Sequence, residues 1–299
     1  MSNCLSCASN TNVKYDDYKS DQLYNWCTNC GNYGIHAAIK RALVMENISP
    51  KDVLLCFDIG CNGNGADKIR AYTYHGLHGR VIPFATGACL ANRKVKVIAF
   101  GGDGGTLSEG LSHLIHAVRC NYDMTFVLHD NSNYGLTTGQ ASATTPQAVP
   151  MNTSPDGVTA STINPTELVL SLEPSFVARG FSGKVKELTE VLRKALNHKG
   201  FSYVEALQSC PTYNRTTPHE WYFQHTYDVE SDPEYDRFNL EYAKKIAKDR
   251  KDKIAIGVLY QDMNKPDFLA RQANRLNVQT ELVSEVKNYP IETILQEYR

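Results

Sequence analysis

FGGDGGTLSEGLSHLIHAVRCNYDMTFVLHDNSNYGLTTGQ, residues 100–140, is the stretch on which the reading of this chain turns. An apolar run from Val95 to Phe100 feeds a Gly-rich turn. A helical stretch follows, and a second apolar run ends at Asp130-Asn131. That order spells a strand, a turn, a crossover helix and a parallel strand. In open sheets of this kind, ligands bind in the crevice outside the carboxyl ends of the strands. Asp103 falls at the end of the first strand and Asn131 at the end of the second, and both offer oxygen atoms.

Oxygen ligands at a Gly-rich turn suit a hard cation and a phosphate. Mg²⁺ takes oxygen in octahedral geometry and commonly bridges a protein carboxylate to a substrate phosphate. Gly101, Gly102, Gly104 and Gly105 let backbone N–H groups approach phosphate oxygens closely. A helix N-terminus expected near Ser108 and Glu109 adds its dipole. The competing reading is a plain Rossmann-like turn in which Asp103 only caps the helix. Against it stands Asn131-Ser132-Asn133-Tyr134-Gly135, polar where a buried strand would run on. GDG followed after a crossover by Asn resembles the thiamine diphosphate motif of thiamine enzymes.

Composition sets the frame. With 299 residues the chain can bury a sizeable core without staples. Lys and Arg number 31 and Asp and Glu 32, so the net charge of −1 carries no nucleic-acid or membrane footprint. No apolar run approaches transmembrane length, and MSNCLSCASNTNVKYDD has no apolar signal-peptide core. A cytoplasmic location is expected. Nine cysteines are many for a compartment that disfavours disulfides, which raises metal binding or redox chemistry.

Residues 1–22 read as a polar N-terminal extension, in which Cys4-x-x-Cys7 is either half a metal site or an adventitious pair. Trp26-Cys27-Thr28-Asn29-Cys30-Gly31 is a Cys-x-x-Cys turn leading into a helix, Ile35 to Met45. It suits a zinc knuckle, a redox dithiol or half of an iron–sulfur site. Lys51 to Asp58 is a strand with Cys56 in its core, running into Ile59-Gly60-Cys61-Asn62-Gly63. Cys61 thus lies just past a strand's end, on the edge already holding Asp103 and Asn131.

Tyr74 to Arg80 reads as a turn with two imidazoles and a guanidinium, followed by Val81–Gly87 and a short helix, Ala88 to Asn92, that buries Cys89. Residues 141–165 are rich in Ser, Thr and Pro, a long loop of the kind that is functional or makes an interface. A helix from Thr166 to Glu173, a short strand from Phe176 to Arg179, an amphipathic helix from Val185 to His198 and a strand from Phe201 to Leu207 follow. Cys210 is then the second cysteine at a strand's carboxyl end, and Cys210-Pro211 matches the close of ferredoxin-type cysteine runs. Residues 215–299 read as a C-terminal arm that docks on the domain or a partner. It carries helices at Asn239–Arg250 and Ile291–Tyr298 and a strand at Ile254–Tyr260.

WCTNCG, IGCNGNG, HGLHGR, GGDGG, HLIHAVR, NSNYGLTTGQ, TSPDG, SFVARGF and SCPTYN occur in the order and spacing of the β subunit of 2-oxoacid:ferredoxin oxidoreductases, which residues 23–215 resemble. The resemblance implies an α/β fold: a doubly wound, mostly parallel sheet of the diphosphate-domain type, over residues 23–214. It implies a [4Fe–4S] cluster on Cys27, Cys30, Cys61 and Cys210, and Mg²⁺ on Asp103, Asn131 and the backbone carbonyl of Asn133. Thiamine diphosphate would meet Gly60, Cys61, His78, Gly102, Asp103, Gly104, Gly105, Asn131, Gly135, Leu136 and Thr138. Three departures stand out: Gly105 replaces the second acid of GDGD, Asp130-Asn131 replaces Asn-Asn, and Arg119-Cys120-Asn121 replaces Arg-Arg-Asn. None removes an implied ligand.

The implied reaction is oxidative decarboxylation of a 2-oxoacid. Coenzyme A takes the acyl group, CO₂ leaves, and two electrons pass one at a time through the cluster to ferredoxin. The activating Glu of thiamine enzymes sits on a separate pyrimidine-binding domain, here expected on an α subunit, in a heterodimer or a dimer of heterodimers. His78 and Thr138 are the catalytic candidates near the cofactor. The family often carries Gly or Lys at the position of Thr138. A Thr supplies no charge for a distal carboxylate, which leans toward small 2-oxoacids such as pyruvate rather than 2-oxoglutarate. The rivals are a thiamine enzyme with a structural zinc and a non-catalytic assembly subunit.

Overall fold

The central strands are rich in apolar residues because both of their faces are covered. The computed structural model describes residues 12–275, 277–278, 280–285 and 291–298; Cys4 and Cys7 lie outside them. The strands are β1 (Val53–Phe57), β2 (Tyr72–His75), β3 (Lys96–Gly102), β4 (Met124–Asp130), β5 (Phe176–Phe181), β6 (Phe201–Leu207), β7 (Thr226–Asp228) and β8 (Ile254–Gln261). Among the described residues they make one sheet in the order β2-β1-β3-β4-β6-β5-β8-β7. Every neighbouring pair is parallel except β5 with β8.

The helices are α1 (Asn32–Met45), α2 (Val81–Ala91), α3 (Leu111–Cys120), α4 (Pro165–Ser171), α5 (Val185–Asn197), α6 (His219–His225) and α7 (Leu240–Ala247), with short α8 (Leu282–Glu285) and α9 (Ile291–Gln296) near the end. Alternation along β3 shows how two cores arise. Ile98 and Phe100 face α1 and α5, packing with Ile35, Ile39, Leu188 and Leu192. Val97 and Ala99 face the opposite layer, with Ile82, Leu114, Val118 and Val169. Each such fully buried aliphatic or aromatic side chain contributes about 1.5–3 kcal/mol. The architecture is the expected doubly wound, mostly parallel α/β fold. From β1 the chain moves out to β2 and returns to β3 on β1's other side, so the crevice at the carboxyl ends of β1 and β3 is the topological switch point.

Three elements differ from the reading of the sequence. Helix α2 spans Val81–Ala91 rather than starting at Ala88. Pro83 lies in its first turn, where no intrahelical N–H is needed, and Gly87 has open space around it. Tyr72–His75, read in part as a turn, is an edge strand parallel to β1. The segment from 215 onward docks on the domain by supplying β7 and β8 to the sheet itself.

A buried charge network ties that segment down. Arg179 and Glu205, both fully buried, pair at 2.7 Å across β5 and β6. Arg250, after α7, reaches Asp130 at 2.5 Å and also binds Glu205. Burial alone would raise the Glu205 carboxyl, but Arg179 and Arg250 outweigh it and hold it well below the usual carboxylate range. Removing Glu205 leaves Arg179 charged and buried without its acid, while Arg250 keeps only Asp130. Glu205→Gln is therefore expected to lower stability by about 3 kcal/mol, read as a fall in the urea midpoint with an unchanged slope. An unshifted midpoint would show that the two arginines find other partners.

Candidate functional site

The site is built where β1, β3, β4 and β6 end. Asp103 follows β3 directly and is 1 % exposed. Its Oδ2 accepts from Ser142 Oγ at 2.5 Å and Thr144 Oγ1 at 2.6 Å. Both donors come from the loop after residue 140. Thr144 Oγ1 is also 2.8 Å from Asp130 Oδ1, and a hydroxyl has one proton to give. Two buried carboxylates thus compete for it. Burial, then the nearby Asp130, pushes the Asp103 carboxyl up to about 7, against the pull of Ser142 and Thr144. Such a group favours a cation beside it, since the cation replaces the proton.

The Gly-rich turn fits a ligand approaching the backbone. A Cβ at Gly104 would lie 2.3 Å from the Tyr134 ring, and one at Gly105 would lie 2.3 Å from Asp58 Oδ2. Tyr134 is held over the turn by its hydroxyl, which donates to the Glu109 carboxylate at 3.0 Å. A wide helical turn, Gly105–Glu109, precedes α3, so the first N–H groups after Asp103 lie at this edge. A cavity of about 110 Å³ opens there.

Gly60, Cys61, His78, Gly102, Gly104, Gly105, Asn131, Gly135 and Leu136 line this cavity. Asp103 is buried between two of its lining glycines. Thr138 is not in the wall: it is exposed, with φ +77°, and its hydroxyl donates to the Thr137 carbonyl at 2.5 Å. Thr137 lines the cavity instead. Asn131 Oδ1 accepts from Asn133 N–H at 3.2 Å, and the Asn131 carbonyl accepts from Asn214 Nδ2 at 3.0 Å. The Asn133 amide oxygen lies 3.8 Å from Cys210 Sγ, so that side chain faces the cysteines. Arg80 donates to the Glu109 carbonyl at 2.6 Å and is a brace for the turn rather than part of the cavity.

The cysteines gather beside Gly135, at one wall of the cavity. A Cβ on that residue would lie 3.3 Å from Cys61 Sγ and 3.8 Å from Cys210 Sγ. Trp26 Nε1 donates to the Cys61 carbonyl at 2.6 Å, and Gly31 N–H to the Ser209 carbonyl at 3.1 Å. These bonds bring the Cys27–Cys30 turn against both strand ends. Gln208 Nε2 lies 3.6 Å from Cys30 Sγ. Burial and then the neighbouring thiols Cys30, Cys210 and Cys27 push Cys61 up to about 12, so the four groups sense one another. All four are free thiols. Among the described residues, no three His, Cys, Asp or Glu side chains are grouped to hold a single metal ion. Cys56 and Cys89 lie in the apolar core.

Several residues in or beneath the cavity wall escaped the sequence reading. Asp58, read as the end of a strand, is fully buried beneath the turn. His129 and Gln208 line the cavity from the ends of β4 and β6. Burial pushes His129 down to about 3, so it is neutral, and its Nδ1 lies 2.9 Å from Asn32 Oδ1. Their positions at strand ends beside Asp130 and Cys210 were the available signal.

A family model described as thiamine pyrophosphate enzyme, C-terminal TPP binding domain, matches residues 58–206, and one for the C terminal of the pyruvate ferredoxin oxidoreductase beta subunit matches residues 210–275. Fold, turn and match together define a thiamine diphosphate-binding domain. The chain is 39 % identical to the 2-oxoacid:ferredoxin oxidoreductase subunit beta of Saccharolobus solfataricus, over 84 % of this chain and 86 % of that one. It is 38 % identical to the 2-oxoglutarate oxidoreductase subunit KorB of Mycobacterium tuberculosis, over 67 % and 54 %. Among solved structures, a 2-oxoglutarate:ferredoxin oxidoreductase from Magnetococcus marinus with 2-oxoglutarate, coenzyme A and succinyl-CoA bound matches with a TM-score of 0.84 and 31 % identity, covering 96 % of this chain and 97 % of that one. The chain belongs to the β subunits of the 2-oxoacid:ferredoxin oxidoreductases.

Proposed function

We propose that this β subunit, assembled with an α subunit, oxidatively decarboxylates a 2-oxoacid to acyl-coenzyme A and CO₂ and passes the electrons through a [4Fe–4S] cluster to ferredoxin. The observation that carries this reading is Gly135. It lines the cofactor cavity together with Cys61, and the sulfurs of Cys61 and Cys210 both lie close to it. A redox cluster held by these thiols would border the cofactor cavity. When bound, thiamine diphosphate supplies the carbanion chemistry that lets a 2-oxoacid lose CO₂.

The residues of this chain bind and orient. Asp103, Asn131 and the Asn133 carbonyl are an all-oxygen set suited to Mg²⁺, and Gly102, Gly104 and Gly105 leave the backbone open to a diphosphate. Cys27, Cys30, Cys61 and Cys210 supply the four thiolates a [4Fe–4S] cluster needs. The raised proton affinity of Cys30 and Cys61 would be overcome by iron, which takes the place of the protons. The activating Glu is assigned to the α subunit, so the β chain alone is inactive. Among the described residues no helix is long and apolar enough to cross a membrane, and a cytoplasmic site of action fits the cysteine chemistry.

The substrate is proposed as a 2-oxoacid without a finer choice. The exposed Thr138 removes the ground for preferring pyruvate from this chain. The named ligands of the Magnetococcus structure make 2-oxoglutarate a necessary member of any panel. The co-expressed complex should reduce ferredoxin only when a 2-oxoacid and coenzyme A are both supplied. No turnover of any 2-oxoacid, with the complex intact and cofactor bound, would favour an assembly role. Zinc without acid-labile sulfide would favour the structural-metal reading.

A further inference from the structure

One short segment of the Ser- and Thr-rich loop, residues 142–145, bonds to the ends of both β3 and β4. Ser142 and Thr144 donate to the same oxygen of Asp103, Oδ2, at 2.5 and 2.6 Å. Thr145 turns to the neighbouring strand end, where its Oγ1 donates to the Ser132 carbonyl at 2.7 Å. All three side chains are buried. The segment is itself held in place. Ser142 N–H donates to Thr145 Oγ1 at 2.8 Å, Ile163 N–H to the Ala143 carbonyl at 2.8 Å, and Thr162 Oγ1 to the Thr145 carbonyl at 3.0 Å.

Those two strand ends need such a brace. The β3–β4 ladder stops with Gly102 opposite His129, so backbone pairing no longer sets the distance from Asp103 to Asn131. Ser132, which receives the Thr145 bond, lies between Asn131 and Asn133. Its φ of +57° puts a non-glycine residue in the left-handed region. Such a backbone is unfavourable and persists where its surroundings impose it. Within the turn, Asn131 Oδ1 accepts from Asn133 N–H at 3.2 Å. Thr144 Oγ1 adds a contact at 2.8 Å to Asp130 Oδ1, one residue before Asn131. One loop therefore grips Asp103 on one side and the 130–133 turn on the other.

We propose that Ser142, Thr144 and Thr145 are positioning residues that make the cation site selective for a small ion, by fixing Asp103 against Asn131 and Asn133. The inference rests on the reading of those three residues as the cation's ligands. Mg²⁺ demands near-ideal octahedral geometry at about 2.0–2.1 Å, whereas Ca²⁺ accepts irregular arrangements at about 2.3–2.6 Å. A site whose two halves are tied by buried hydrogen bonds suits the first ion. Loosening the tie lets the halves drift, which costs Mg²⁺ its geometry and costs Ca²⁺ little. The loop therefore acts on the ratio of the two ions, and it acts from either half of the site.

The test uses the assembled complex, stripped of cofactor and metal. It is titrated calorimetrically with thiamine diphosphate in excess Mg²⁺ and, separately, in excess Ca²⁺, with far-UV circular dichroism showing that each variant is folded. Thr144→Val and Thr145→Val loosen opposite halves of the site. Each should weaken binding about tenfold in Mg²⁺ and less than about threefold in Ca²⁺. Ser142→Ala should shift the ratio the same way but less, because Thr144 still holds Oδ2. Thr144→Ser and Thr145→Ser keep the hydroxyl and should stay within about twofold of the unaltered complex in both ions. Losses in Ca²⁺ as large as those in Mg²⁺ would mean that the loop only supports the fold. Unchanged affinity in both ions would mean that the site keeps its shape without the loop. Either result would overturn the proposal and leave the cation site standing. Absence of cation-dependent binding by the unaltered complex would overturn both.

Discussion

Cys210→Ser should strip the protein of its iron, from about four atoms per chain when purified without oxygen to less than one. Cys210 lies in the turn after β6, 9 % exposed, with its sulfur beside Asn133 and Gly135. Serine nearly matches it in size, so the turn and its neighbours have no cause to rearrange. What changes is the ligand: a hydroxyl is a poor substitute for a thiolate on iron, and three thiolates hold a four-iron cluster weakly. Cys56→Ser and Cys89→Ser are the matched controls. Both place a hydroxyl in the apolar core at a stability cost of about 1–3 kcal/mol, yet both should keep the full iron content. Iron and acid-labile sulfide assays on the three variants decide it. Undiminished iron in Cys210→Ser would mean that the cluster, if present, uses another ligand set.

Asp103→Ala should weaken thiamine diphosphate binding in Mg²⁺ by about a hundredfold or more, because it removes the only carboxylate of the implied cation site. The apo protein should not suffer to match. Asp103 is buried next to Asp130, and its removal relieves a repulsion while leaving Thr144 free to donate to Asp130 alone. The urea midpoint of the apo chain should therefore hold or rise as cofactor affinity collapses, a split that misfolding cannot imitate. Iron content should be unchanged. Full cofactor affinity in the assembled variant would reduce the GDG turn to scaffolding.

Much of this was legible in the sequence because the relevant signals are local. The Phe201–Leu207 strand reads off its alternating pattern, and its bounds agree with the structure. The GDG turn announces itself through glycines that the structure packs against Tyr134 and Asp58. The elements that were misread share a physical cause. Pro83 and Gly87 look like breakers, but a proline in the first turn and a glycine with room around it leave α2 intact. The short β2 sits at the sheet's edge with Tyr72 62 % exposed, so it lacks the apolar run that marks a buried strand. Contacts through space were out of reach. Nothing in the Ser- and Thr-rich loop says that Ser142 and Thr144 return to Asp103. Nor does the spacing of Thr137 and Thr138 say which one faces the cavity, because a left-handed backbone at Thr138 turns the loop there.

The antiparallel pairing of β8 with β5 bears on how this chain can be cut or fused. A boundary at 214, where the composition changes, looks like a natural place to trim. Ending the chain there would strip β5 of its outer neighbour and bare a row of unpaired amides and carbonyls along Phe176, Val177, Ala178 and Arg179. Such an open, apolar margin is a template for other chains. It would also withdraw Arg250, leaving Asp130 without its counter-ion inside the fold and Glu205 with Arg179 alone. A trimmed protein of this kind is a recipe for aggregates in the expression host, and any tag or fusion partner belongs beyond Gln261.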